Sequence, residues 1–176
     1  MGGLPGDRNL MGRAMLTNVV GLAAAIGLSA LVAVLAPIDL QSPELMARTS
    51  VGFDGIALAL ASGAAATLSL TTGISSALVG VMVAVALLPP AAAIGMMLGT
   101  GNLALAGGAA MLLAVNVVCL NLSAQLTFVL RGITPRTWYQ KRNAKRASQI
   151  NAAIWLGLLA LLTGLILLNY TDLLAR

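Results

Sequence analysis

The sequence predicts an all-α fold: a polytopic integral membrane helical bundle of about five spans. Three observations carry that reading. Of 176 residues, 59% are hydrophobic and only 9% charged, where soluble domains hold roughly 25% charged residues. The mean hydropathy of +0.96 points the same way. Five apolar runs approach or exceed the ~20 residues a helix needs to cross hydrocarbon. They cover about 10–36, 53–71, 75–98, 103–130 and 150–170, and 1–176 reads as a single transmembrane domain.

Met1 to Asn9 is short and polar, with Pro5-Gly6-Asp7 as a turn. The apolar run that follows is too long for a signal peptide and lacks a small-residue cleavage pattern. The first span begins beside Arg8 and Arg13, carries Thr17 and Asn18 as polar intrusions, and ends before Pro37. In the next loop, Ser42-Pro43-Glu44 reads as a helix start, with Ser42 as N-cap and Pro43 as first residue. A short interfacial helix over Pro43–Thr49 is expected there. The second span is rich in Ala, Ser62 and Gly63. Small residues let helices approach closely and gain dispersion contacts in lipid, so this span is expected inside the bundle.

The third span, through Gly-Ile-Ser-Ser-Ala-Leu-Val-Gly-Val-Met-Val-Ala-Val-Ala-Leu-Leu-Pro-Pro-Ala-Ala-Ala-Ile-Gly, holds Pro89 and Pro90 in its middle. Proline has no N–H and its ring crowds the preceding turn, so the span is expected to be broken or kinked. The carbonyls of Val85 and Ala86 then need other partners. Gly80 with Ala84, and Ala91 with Gly95 and Gly99, form small-residue faces on either side. A tight Gly99-Thr100-Gly101-Asn102 link leads to the fourth span, which contains Asn116, Cys119, Asn121, Ser123, Gln125 and Thr127. At about 100° per residue, Asn116, Cys119, Ser123 and Thr127 share one face, with Asn121 and Gln125 nearly opposite. Polar side chains on two faces place this span centrally. The fifth span is Leu-rich and expected at the lipid-facing periphery.

The Leu-Leu-Pro-Pro stretch resembles the signature of an uncharacterised bacterial membrane family, the hydrophobic Domain of Unknown Function 389, over about Gly6–Tyr170. The resemblance implies a membrane protein without a settled activity. It also implies a further apolar helix and often a soluble domain ahead of the first span, so the chain is expected to be a short member or a fragment.

Arg136, Trp138, Tyr139, Lys141, Arg142, Lys145 and Arg146 lie in the amphipathic stretch 134–149. Such a segment suits an inner-leaflet helix, with aromatic rings at headgroup depth and cations on anionic lipid. With the N-terminus cytoplasmic, the inner segments hold Arg8, Arg13, Arg131 and five cations of that stretch; the outer ones hold Arg48 and Arg176. This asymmetry fits a multi-pass protein of a bacterial inner membrane. The net charge of +5 is thereby assigned to lipid rather than to nucleic acid.

A shift of 95 residues aligns Gly6 with Gly101, Gly12 with Gly107, Val20 with Val115 and Val34-Leu35 with Val129-Leu130. If this is a repeat, its copies run in opposite directions, as in many transporters. Composition alone also supplies such identities.

Candidate site residues are those that are costly in lipid. Pro89 and Pro90 expose carbonyls that could hold an ion or small anion, or they form a structural kink. Asn116, Asn121, Ser123 and Gln125 either line a cavity at the break or make interhelical hydrogen bonds. Ser75 and Ser76 are the cap of the third span or ligands of the same pathway. Asp54 reads as interfacial, or otherwise as a guard at the pathway mouth. The chain has no His and one Cys, which excludes an internal disulfide and removes the commonest proton shuttle and metal ligand. Without a nucleophile–base pair, a metal-ligand spacing or a phosphate loop, no enzyme, metal or cofactor is expected. The two functional expectations are a small-solute or ion transporter or channel-like protein, and a non-transporting membrane scaffold or sensor. A homo-oligomer built through small-residue faces is expected in either case.

Overall fold

The computed structural model describes residues 8–73, 75–132 and 153–164. These are helical, with no strand among the described residues: α1 (Arg8–Leu35), α2 (Pro43–Met46), α3 (Phe53–Thr71), α4 (Ser76–Gly99), α5 (Leu103–Leu130) and α6 (Ala153–Gly164). Four of them, α1, α3, α4 and α5, are long and apolar enough to cross a membrane. Only the centre of the fifth expected span, α6, lies among the described residues. The basic stretch 134–149 with its seven interface residues lies outside them.

Helix ends follow the local chemistry. After α4, the Asn102 N–H bonds the Met97 carbonyl at 2.8 Å and the Gly101 N–H bonds that of Leu98 at 3.1 Å. This Schellman closure needs a left-handed residue, which Gly101 supplies at φ +77°. Hydroxyls inside the helices bond back one turn, as Thr17 does to Arg13 O at 2.9 Å and Ser29 to Ala25 O at 2.6 Å. Where hydrocarbon offers no partner, this satisfies the O–H internally.

Two expectations are corrected here. The interfacial helix is one turn, Pro43–Met46, and not Pro43–Thr49. Ser42 stands at the N-cap without a side-chain cap bond; its carbonyl takes the Met46 N–H at 3.0 Å. The second correction concerns the proline pair. α4 runs as one helix through Pro89 and Pro90, so the pair interrupts its hydrogen-bond ladder without ending the helix.

The chain groups into two compact units. The first comprises residues 1–49 and 88–110, the second 50–87 and 111–176. In the first, α1 lies against the Ala91, Gly95, Gly99 face of α4. A Cβ on Gly95 would collide with the Ile26 carbonyl, and one on Gly99 would sit 2.5 Å from the Ala30 carbonyl oxygen. Ala91, Ala93 and Met97 are fully buried, whereas most of the apolar face of α1, including Leu28 and Leu31, is exposed. In the second unit, Ala59, Val115 and Cys119 form a small core edged by Ile56, Leu159 and Leu162. Here α3 buries one stripe (Ala59, Gly63, Ala66 and Thr67), while Leu58, Leu60 and Leu70 are exposed. It is thus half-buried and not enclosed as its composition suggested. α5 is the most buried of the four long helices, in line with its two polar faces.

Candidate functional site

The polar groups of α5 and the carbonyls of its neighbours define the candidate site, which lies in the second unit. Pro90 removes the N–H that would have bonded the Ala86 carbonyl four residues earlier. That carbonyl instead accepts from Asn116 Nδ2 at 2.9 Å. Ala86 is 2% and Asn116 6% exposed, so the bond is closed to water. A carbonyl only accepts, so the amide nitrogen must face Ala86 and the direction of the side-chain oxygen follows. That oxygen, Asn116 Oδ1, is buried and takes no hydrogen bond among the described residues. Pro89 likewise gives no N–H to the Val85 carbonyl.

Ser123 Oγ donates to the Leu60 carbonyl of α3, and Thr127 Oγ1 donates to the Ser123 carbonyl at 2.8 Å. Gly63 makes this approach possible: a Cβ there would lie 2.5 Å from the Leu120 carbonyl oxygen. Asn116, Cys119, Ser123 and Thr127 are all buried, as their common face requires. Asn121 is placed apart from them, its Nδ2 bonded to Val117 O of its own helix at 2.8 Å. Gln125 Oε1 is a second buried oxygen without a partner among the described residues.

Ser75 sits apart from these groups. It is exposed at the start of α4, and its carbonyl receives the Leu78 N–H at 3.1 Å and the Val79 N–H at 3.4 Å. The side chain of Ser76 lies outside the described residues. Pro90 is buried, whereas Pro89 lines a cleft of about 840 Å³ in the first unit. The cleft is bounded by Ser42, Glu44 and Arg48 on one side and Ala92, Ala93 and Met96 on the other. Sequence reasoning used Glu44 in a helix start and Arg48 in the charge asymmetry, and foresaw no cleft beside them. It also missed Leu60, because the partner is a backbone carbonyl and no side chain announces it.

Membrane-spanning helices around a buried carboxamide define the class, an integral membrane protein with polar groups at the centre of its most buried helix. The chain belongs to the family described as "Domain of unknown function (DUF389)", which matches residues 1–122. That is shorter than the Gly6–Tyr170 stretch of the resemblance. The chain is also 35% identical over 152 residues to an uncharacterised protein of Methanocaldococcus jannaschii, MJ0678, covering 86% of this chain and 48% of that protein. It therefore spans about half the length of the curated relative it matches. No solved structure matches.

Proposed function

We propose that the protein is a transporter or channel-like protein for a small solute or ion, with its polar pathway at the α4–α5 seam. The supporting observation is Asn116, whose carboxamide is buried at membrane depth with one end bonded and the other unpartnered among the described residues. An unmet polar group in hydrocarbon is costly and calls for an explanation, of which a functional role is one. In this structure the seam is closed, so passage requires it to open. On this reading the N-terminus is cytoplasmic in an inner membrane, and the basic stretch 134–149 rests on anionic lipid. Exposed apolar residues of α1 then meet lipid or a second subunit.

A second reading is favoured by one observation: Ala86 and Ala91 are almost completely enclosed, as in a dry scaffold or sensor bundle. Water-borne thiol reagents separate the two. Single cysteines at Ala86 and Asn116, in a Cys119→Ala background in intact membranes, are expected to label as the seam opens. Protection at both positions until the protein is denatured would contradict transport and support the scaffold.

A further inference from the structure

We infer that the cleft of the first unit is a binding site for a small zwitterion with an apolar body, its ammonium group meeting Glu44 and its acidic group Arg48. The inference stands apart from the α4–α5 seam and does not need transport. It starts from where the chain goes after α1. Gly95 packs on Ile26 and Gly99 on Ala30, so α1 runs parallel to the end of α4. The chain then turns back. Ser42, Glu44 and Arg48 face Pro89, Ala92, Ala93 and Met96 across the cleft, and the Thr49 carbonyl lies against Gly108 of α5. Met96 and Pro89 stand three and ten residues before the end of α4 at Gly99, about 5 and 15 Å along a helix axis. Gly108 stands five residues into α5, about 8 Å. The 37–49 segment therefore returns beside the two helices and does not stay beyond their ends.

That depth decides the chemistry. α4 and α5 are apolar over these turns and long enough to cross a membrane, so the segment sets irregular backbone and two charged side chains beside them. Irregular backbone is tolerated at such depth only where protein buries it or it lines a water-filled cavity. Ionisable side chains there face such a cavity or a partner. Glu44 and Arg48 are both exposed and both line the cleft, and among the described residues they form no ion pair with each other. At about 840 Å³ the cleft has the size of a small-molecule site. A simple anion in it would face Glu44, and a simple cation would face Arg48; a zwitterion answers both. The opposite wall of Pro89, Ala92, Ala93 and Met96 carries no charge and suits the apolar remainder of the ligand, with Met96 able to adapt its shape. Two sources share this chemistry: a free amphipathic amino acid, and the headgroup of a zwitterionic phospholipid with the start of its chains.

The test is a thermal unfolding series on the full chain in detergent, with four probes at equal concentration: L-leucine, isoamylamine, 4-methylpentanoate and dihexanoyl phosphatidylethanolamine. A ligand that binds only the folded state raises the midpoint by mass action. At least one of the two zwitterions is expected to raise the wild-type midpoint by about 2–4 °C, and the amine and the acid alone by less than half of that. A gain from leucine alone names a free solute as the source, and a gain from the phospholipid alone names the membrane. Glu44→Gln and Arg48→Gln should each remove most of the gain; both side chains are exposed, so folding is not at stake. Ala92→Leu, which fills the cleft and keeps both charges, should remove it as well. No gain from either zwitterion overturns the inference. So does an equal gain from the amine or the acid alone, or a gain that both charge variants retain.

Discussion

Replacing Asn116 by Leu is expected to destabilise the folded protein by about 1–3 kcal/mol, and the same replacement in a Pro90→Ala background should cost well under half of that. Interhelical hydrogen bonds in membranes average only about 0.6 kcal/mol, because a removed partner is usually replaced by another. Here no replacement is available along the helix. Pro90 has no N–H to return to the carbonyl of Ala86, a residue 2% exposed and shut off from water. The Asn116→Leu variant would therefore leave a buried acceptor empty, and the desolvation penalty of that group decides the magnitude. Pro90→Ala restores the intrahelical donor, after which Asn116 is dispensable to Ala86. The double-mutant cycle, read by unfolding in mixed micelles, should give a coupling of about 1–2 kcal/mol between positions 90 and 116. Additive effects would mean that Asn116 does not compensate for the proline.

The second large effect lies where α3 crosses α5. Gly63→Leu is expected to cost about 3 kcal/mol or more, and Gly63→Ala about 1–3 kcal/mol. The atoms facing Gly63 are backbone: a Cβ there would lie 2.5 Å from the Leu120 carbonyl oxygen and 3.1 Å from its C and Cα. A side chain could rotate away, but two helix backbones can only separate. Separation would also stretch the Ser123–Leu60 bond one turn along. Gly80→Ala is the control, since a Cβ there meets nothing within 4 Å; it should be neutral or slightly stabilising through helix propensity. Equal unfolding midpoints for Gly63→Ala and Gly80→Ala would show that the α3–α5 crossing is looser than the structure has it.

The helices were legible because hydrocarbon imposes length and composition on anything that crosses it. The observed bounds of α3 and α5, Phe53–Thr71 and Leu103–Leu130, coincide with the apolar runs. The demand of the Ala86 carbonyl for a partner was also legible, since it follows from where the proline stands. Which side chain met it was not: Asn116, Asn121 and Gln125 are chemically similar, and only packing chose among them. The shape of the proline site was misread for a related reason. Two prolines remove two N–H groups, yet the helix continues through them, and a neighbouring carboxamide covers the loss at Ala86. Close approach likewise needs a partner backbone that sequence spacing does not show, so Gly80 and Gly95 look alike in the sequence and differ in the fold. The 95-residue offset sets Gly21 of α1 opposite Asn116 of α5, so α1 carries no counterpart to the carboxamide.

The measurement that tests the central claim most directly is uptake into proteoliposomes, wild type against Asn116→Leu, at matched amounts of folded protein. The panel comprises radiolabelled monovalent cations, small cationic and neutral solutes, and small anions. The account predicts that at least one species of the panel enters about tenfold faster with the wild type than with the variant. Wild-type flux at background for every solute, or flux that Asn116→Leu leaves unchanged, would contradict a pathway at the α4–α5 seam.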